Sequence, residues 1–291
     1  MPRDREAHSF ALADDQDAPA LPPEQLDAIS RAAQAIDEVG FACSYVLVDL
    51  QTGRGISGNA DEALYTASSF KAPLTFFLIQ GGNDFERDLA EASILYSDND
   101  SYEALASPYM DDRFITWLHE HGIDYDEWSP WYPTANAAGM ASCWTDIYRY
   151  LRSGESDAPW LEEMHANTNV SFVRDALEGQ DVRVLNKAGW LADDEYNAVA
   201  DCGIIETQGR SYLIAVLSSQ PSYGEAHERV KELVRALFDS RDSLSSRLFN
   251  LARPLACSSA GPVMRSRNPC RTFVLESSPS LCPTAMPPCE A

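Results

Sequence analysis

The chain has 291 residues, 45% of them hydrophobic, which is enough to bury a full core as one large domain or two small ones. Twenty-two basic residues face forty-five acidic ones, a formal charge of −23. That balance repels phosphate backbones and anionic lipid surfaces and argues against nucleic acid as a partner. No apolar run approaches the roughly 20 residues that a membrane-spanning helix requires.

In chain order, residues 1–22 are polar, acidic and Pro-bearing. They lack the apolar core of a signal peptide and are expected to form a flexible arm. The spacing of Leu26, Ile29, Ala32, Ala33 and Ile36 predicts a helix over 23–39, ended by Gly40. Residues 41–50 are rich in β-branched and aromatic side chains and run into Gln51-Thr52-Gly53, the pattern of a strand entering a turn; a second strand is expected over 55–58. From Ser68 to about Leu177 the character is helical, with helices expected over 74–80, 85–96, 113–121, 145–151 and 160–177. Strands follow over 182–190, 198–206 and 211–218, the last two joined through Thr207-Gln208-Gly209-Arg210, a hairpin signal. An amphipathic helix over 225–238 closes the series.

This order specifies an α/β (α+β) fold, an antiparallel sheet flanked by helices, with a helical subdomain inserted between its early and late strands. The sheet lobe is assigned to 23–64 and 181–240 and the helical lobe to 65–180, within one domain over 23–253. A ligand site is expected between the lobes. Residues 254–291 are rich in Ser, Pro and Cys without periodicity, and read as a disordered tail.

The seven cysteines include no C-x-x-C pair, so neither a metal site nor a disulfide framework is indicated, and no cofactor motif is present. Cys43, Cys143 and Cys202 lie in apolar or mixed segments, where a thiol is expected to be buried and inert. Nineteen of the twenty-two basic residues are Arg and only three are Lys: Lys71, Lys187 and Lys231. Where charge alone suffices, this chain uses Arg. A lysine kept against that habit points to a task Arg cannot perform, such as losing its proton or acting as a compact point charge.

Three short motifs fall in order: Ser68-Ser69-Phe70-Lys71 (S-x-x-K), Ser97-Asp98-Asn99 (S-D-N) and Lys187-Ala188-Gly189, close to K-T-G. S-x-x-K alone is common, and as a plain helix N-cap with a surface lysine it means nothing. Its context says more. Ser68 opens the run Lys71-Ala-Pro-Leu-Thr-Phe-Phe-Leu, so it is expected near a helix N-terminus, with Pro73 tolerable only in the first turn. Three residues apart on one face, the Lys71 amine comes within reach of the Ser68 hydroxyl, which needs a base to become a nucleophile. Ser97-Asp98-Asn99 is expected in a loop between two helical runs, and Lys187 on a strand just before the hairpin. Two of only three lysines fall at the lysine positions of the trio.

Tyr65-Thr-Ala-Ser-Ser-Phe-Lys-Ala-Pro, Tyr96-Ser-Asp-Asn and Asn186-Lys-Ala-Gly-Trp carry a resemblance over residues 41–220. The chain resembles the penicillin-recognising serine hydrolases, the family of class A β-lactamases and D,D-peptidases, in a compact variant with a K-A-G-W third motif. The resemblance implies a β-lactamase/transpeptidase-like fold and an acyl-enzyme mechanism. It makes Ser68 the nucleophile, Lys71 its base and Ser97 the relay of a proton to the leaving nitrogen. Asn99 would orient the substrate amide and Lys187 attract a substrate carboxylate. The backbone N–H groups of Ser68 and of Trp190, which follows Gly189 of the third motif, would form the oxyanion hole. A small molecule or a peptidoglycan peptide is the implied substrate, outside the cytoplasmic membrane, with no cofactor; nothing in the sequence sets an oligomeric state.

Two departures qualify this. Ala188 stands where the family has a hydroxyl residue, which removes one hydrogen bond to a substrate carboxylate. The family's β-lactamases also carry a deacylating Glu, followed three and four residues later by Leu and Asn, on a loop after S-D-N. Here residues 126–136, which include Glu127, do not match that pattern. The expected function is therefore acyl transfer on an amide or peptide, like a D,D-peptidase. A true β-lactamase and a catalytically idle binding module are the alternatives, and Cys143 with His165 as a nucleophile pair is supported by no spacing.

Overall fold

The structure is a computed structural model that describes residues 6–13, 16–82, 85–125 and 132–245. Six strands form one antiparallel sheet in the order β1-β3-β2-β8-β7-β6: β1 (His8–Ala11), β2 (Cys43–Asp49), β3 (Arg54–Gly58), β6 (Arg183–Ala192), β7 (Asn197–Thr207) and β8 (Arg210–Ser218). A two-stranded ladder joins β4 (Leu64–Tyr65) to β5 (Thr134–Ala135).

The central strands are buried on both faces, so their residues alternate between two apolar layers. One layer takes Val46, Val48, Leu213 and Leu217, with the helical lobe. That lobe comprises α2 (Lys71–Gln80), α3 (Arg87–Leu95), α4 (Asn99–Ala106), α5 (Asp112–Glu120), α6 (Ala137–Leu151) and α7 (Ala158–Ala166). The other layer takes Tyr45, Leu47, Ile214 and Val216, with α1 (Pro23–Asp37), α8 (Phe172–Ala176) and α9 (Gly224–Asp239). A short α10 (Arg241–Ser245) follows. The helix α1 starts on a proline, whose missing N–H is an orphan there in any case, and buries Ile29, Ala33 and Ile36. The hairpin between β7 and β8 turns at Gln208 and Gly209, both at positive φ (50° and 75°), which matches the right-handed twist of the strands it joins.

The sheet and the inserted helical lobe agree with the sequence reading; four details differ. His8–Ala11, expected in a flexible arm, pairs with β3, and Phe10 lies directly across from Gly55, over which its ring packs. The helix expected over 160–177 is two helices, α7 and α8, and Phe172 and Val173 of the second pack in the α1/α9 layer. The helix expected from residue 145 starts at Ala137, capped by the Asn136 side chain accepting from Gly139 N at 2.7 Å. Asn99, expected in a loop, opens α4. Residues 254–291 and 126–131 lie outside the described residues, so the tail and Glu127 are not placed.

Candidate active site

The nucleophile candidate sits on a tight turn. Residues Ala67–Phe70 form a 3₁₀ turn that runs directly into α2, rather than the first turn of the α-helix itself. The turn is held by Ser69 Oγ donating to Thr66 O (2.7 Å) and by Thr66 Oγ1 donating to Pro133 O (2.7 Å). Ala67 is forced to φ 44°, a left-handed conformation that costs a non-glycine residue roughly 1–2 kcal/mol. Against this turn lies β6. A Cβ on Gly189 would collide with Thr66 O and stand 2.5 Å from Ser69 N and 2.9 Å from Ser68 N, so the strand approaches this closely only because residue 189 has no side chain. Gly189–Trp190 thereby run beside the Ser68 N–H, and β6, as a sheet edge, keeps one side of its backbone free of strand partners.

The helix α2 is apolar all round, and Lys71 at its start is fully buried with it. Its ammonium finds three acceptors on the second motif: Ser97 O (2.7 Å), Asp98 O (3.0 Å) and Asn99 Oδ1 (2.8 Å). These consume all three of its N–H donors. The motif is shaped to offer them. Ser97 is left-handed (φ 61°), and the Asp98 carboxylate caps α4 by accepting from Ser101 N (2.8 Å), so the peptide bends and its carbonyls point inward. Burial lowers the Lys71 pKa to about 8, against the opposing pull of Asp98.

Lys187, also fully buried, projects from β6 to the same place. It donates to Ser97 Oγ (3.1 Å) and to Ala188 O (3.0 Å), which leaves the Ser97 hydroxyl free to donate onward. Burial, and then repulsion from Lys71, lower its pKa to about 7, with buried Asp201 pulling the other way. The strand is braced from behind by polar contacts: Asn186 donates to Asp201 Oδ1 (2.7 Å) and accepts from Thr168 Oγ1 (2.8 Å), while Asp201 Oδ2 accepts from Ser171 Oγ (3.1 Å) and Val173 N (2.9 Å). Ala188 is fully buried with Val184 and Val199 in the α1/α9 layer. The alanine that the sequence suggested would weaken carboxylate binding thus faces away from Ser97, because alternate residues of a strand face opposite sides.

The fold therefore unites Lys71, Ser97, Asn99 and Lys187 in one hydrogen-bonded cluster, beside the turn that carries Ser68 and the backbone of Gly189–Trp190. Sequence reasoning missed the bracing pair Asn186 and Asp201, although an acid in the middle of the apolar strand 198–206 is a readable signal. It missed Tyr132 as well: this phenol donates to Asn99 Oδ1 (3.0 Å) and lies near enough to the Ser68 hydroxyl to be influenced by it. Cys143 is fully buried with its thiol pKa pushed well up by burial, and buried His165 is pushed down to about 4, so they make no reactive pair.

Residues 85–240, more than half of the chain, match the model of the Beta-lactamase enzyme family. The match takes in Ser97, Asn99 and Lys187 and begins beyond Ser68 and Lys71. No curated protein sequence matches the chain. Similar solved structures include a PBP-A mutant as an acyl-enzyme complex with penicillin G, at TM-score 0.63 and 16% identity, covering 77% of this chain and 100% of that one. A β-lactamase from Sphaerobacter thermophilus is similar at TM-score 0.61 and 17% identity, over 74% and 97% of the two chains. The last common ancestor of Gram-negative bacteria class A β-lactamase is similar at TM-score 0.60 and 21% identity, over 74% and 99%. At these identities the likeness is one of fold.

Proposed function

The chain belongs to the β-lactamase enzyme family, and from that premise we propose that it works as a serine acyl-transferase on an amide or peptide, in the manner of a D,D-peptidase, outside the cytoplasmic membrane. The observation that carries this is the convergence of Lys71 and Lys187 on Ser97 beside the strained Ser68 turn. Ser68 Oγ attacks the substrate carbonyl carbon and its proton passes to Lys71 in its neutral form, which burial makes more accessible by lowering the pKa to about 8. The negative charge on the carbonyl oxygen is met by the N–H groups of Ser68 and Trp190. As the C–N bond breaks, the leaving nitrogen takes a proton from the Ser97 hydroxyl, and Ser97 Oγ regains one from the Lys187 ammonium that donates to it. Asn99 and Lys187 hold the substrate amide and carboxylate.

A fluorescent penicillin tests the reading. The expected result is one adduct, mapped by mass spectrometry to Ser68 and lost in Ser68→Ala. Labelling that survives this substitution would remove Ser68 as the nucleophile. Release of the adduct separates the finer readings: fast multiple turnover of a chromogenic cephalosporin would make the protein a β-lactamase rather than a peptidase-like enzyme.

A further inference from the structure

Tyr132 belongs to no motif, yet its hydroxyl reaches into the group of residues around Ser68. It arrives on the stretch that leads into β5 and is fixed there. Thr66 donates both its hydroxyl (2.7 Å) and its backbone N–H (3.2 Å) to Pro133 O, and β5 pairs with β4 through Tyr65 and Thr134. The ring stacks on Tyr102 (centroids 4.7 Å, 16° between planes) and meets Tyr65 edge-on (6.4 Å, 89°). Its hydroxyl donates to Asn99 Oδ1 (3.0 Å) and lies near enough to the Ser68 hydroxyl to be influenced by it, while Lys71 Nζ lies 5.8 Å from the ring centroid. The phenol oxygen is therefore held by Asn99 in the neighbourhood of the reacting hydroxyl.

An acyl-serine is hydrolysed when a water oxygen bonds to the acyl carbon and the C–Oγ bond breaks. One water proton goes to a base, Ser68 Oγ regains a proton, and the acyl group leaves as an acid. Such a water needs polar partners next to Ser68. Asn99 Oδ1 is one within reach, and the phenol oxygen already uses it. The phenol cannot replace the water's base. Burial pushes its pKa well above the ordinary value, so it remains protonated.

We propose that Tyr132 occupies the position of the hydrolytic water beside Ser68 and so sets the lifetime of the acyl-enzyme. This rests on the reading of Ser68 as the acylated residue. Tyr132→Phe keeps the stacked ring and removes only the oxygen, leaving a water-sized space lined by Ser68 and Asn99. Tyr132→Ala widens it.

The full chain and both variants are acylated with a fluorescent penicillin, chased with unlabelled drug, and followed by stopped flow and by mass. In Tyr132→Phe, acylation is expected to stay within about threefold of the parent and release to quicken by at least about tenfold, a small part of what a positioned proton acceptor can contribute once water reaches it. Release from Tyr132→Ala should be at least as fast. Unchanged release from both variants, measured on folded protein checked by circular dichroism, overturns the proposal. So does slower acylation with unchanged release, which would put the phenol in the first step instead. A parent chain that forms no Ser68 adduct fails at the outset and overturns the acyl-enzyme reading itself, a result distinguishable from either outcome in the variants.

Discussion

Lys71 and Lys187 are both fully buried and both end at Ser97, yet the walls that carry them are built differently. Lys71 rises from an apolar helix and is surrounded by acceptors: two carbonyls and an amide oxygen take up its three donors. Lys187 rises from an edge strand, finds one hydroxyl and the carbonyl of its own neighbour, and depends on polar groups behind the strand to hold its place. Burial lowers both ammoniums, Lys187 to about 7 and Lys71 to about 8, and their mutual repulsion adds to it. Two positive charges this close are costly, so near neutral pH the pair sheds part of its charge. A carboxylate arriving at Lys187 would favour the charge there and, through the same repulsion, help Lys71 lose its proton. Substrate binding would then prepare the base.

The contrast breaks most visibly at Lys71. Lys71→Arg keeps a charge that can satisfy carbonyls but cannot be neutral, since an Arg pKa stays above about 12. It is expected to fold normally by circular dichroism and to acylate at least about 10²-fold more slowly in stopped-flow labelling. A parental rate would remove Lys71 from the chemistry and leave the two lysines equivalent.

A smaller effect tests the bracing of the other wall. Asn186→Ala strands Asp201 Oδ1 in the interior and removes the acceptor of the Thr168 hydroxyl, which is expected to cost about 1–3 kcal/mol and lower Tm by several degrees. An unchanged Tm would show that β6 holds Lys187 without this network.

The smallest effect is one of stability against pH. In the folded chain Lys187 titrates at about 7, below the ordinary 10.5, so the unfolded chain binds more protons between those values. The cost of burying its charge is complete below pH 7 and relaxes as pH rises from 7 towards 10.5. Lys187→Met should therefore melt above the parent at pH 6, by about 1 kcal/mol, and lose that advantage by pH 9. An advantage that does not change with pH would mean that Lys187 is not a strained charge.

Much of this architecture was legible in the sequence because it rests on local signals. The apolar, β-branched and aromatic runs over 41–50 and 198–218, the Gln208-Gly209 turn and the three ordered motifs each reflect what a few neighbouring residues prefer. What escaped depends on distant partners. Residues 160–177 keep helical apolar spacing across the break, but Thr168 and Ser171 leave the helix to serve Asn186 and Asp201. Gly139 dilutes the helical pattern near the start of α6, yet it is there because a Cβ would stand 2.7 Å from Ile123 Cγ1. Tyr132 sits in a short Pro-flanked stretch that no period describes; only the pairing of β4 with β5 brings it to Ser68.

The first strand gives the chain protection against misassembly. A sheet has two edges, and an open edge offers unpaired N–H and C=O groups to any other extended chain. At one end the Ser68 turn lies against β6; at the other the edge is β1 itself, only 4 residues long, which covers β3, with Phe10 shielding the bare backbone at Gly55. The few residues before α1 thus act as a guard strand. Shortening the chain at its beginning would leave Ser68 and its partners untouched but turn Arg54–Gly58 into a template for strand addition, and the harm would first appear as aggregation rather than as lost activity.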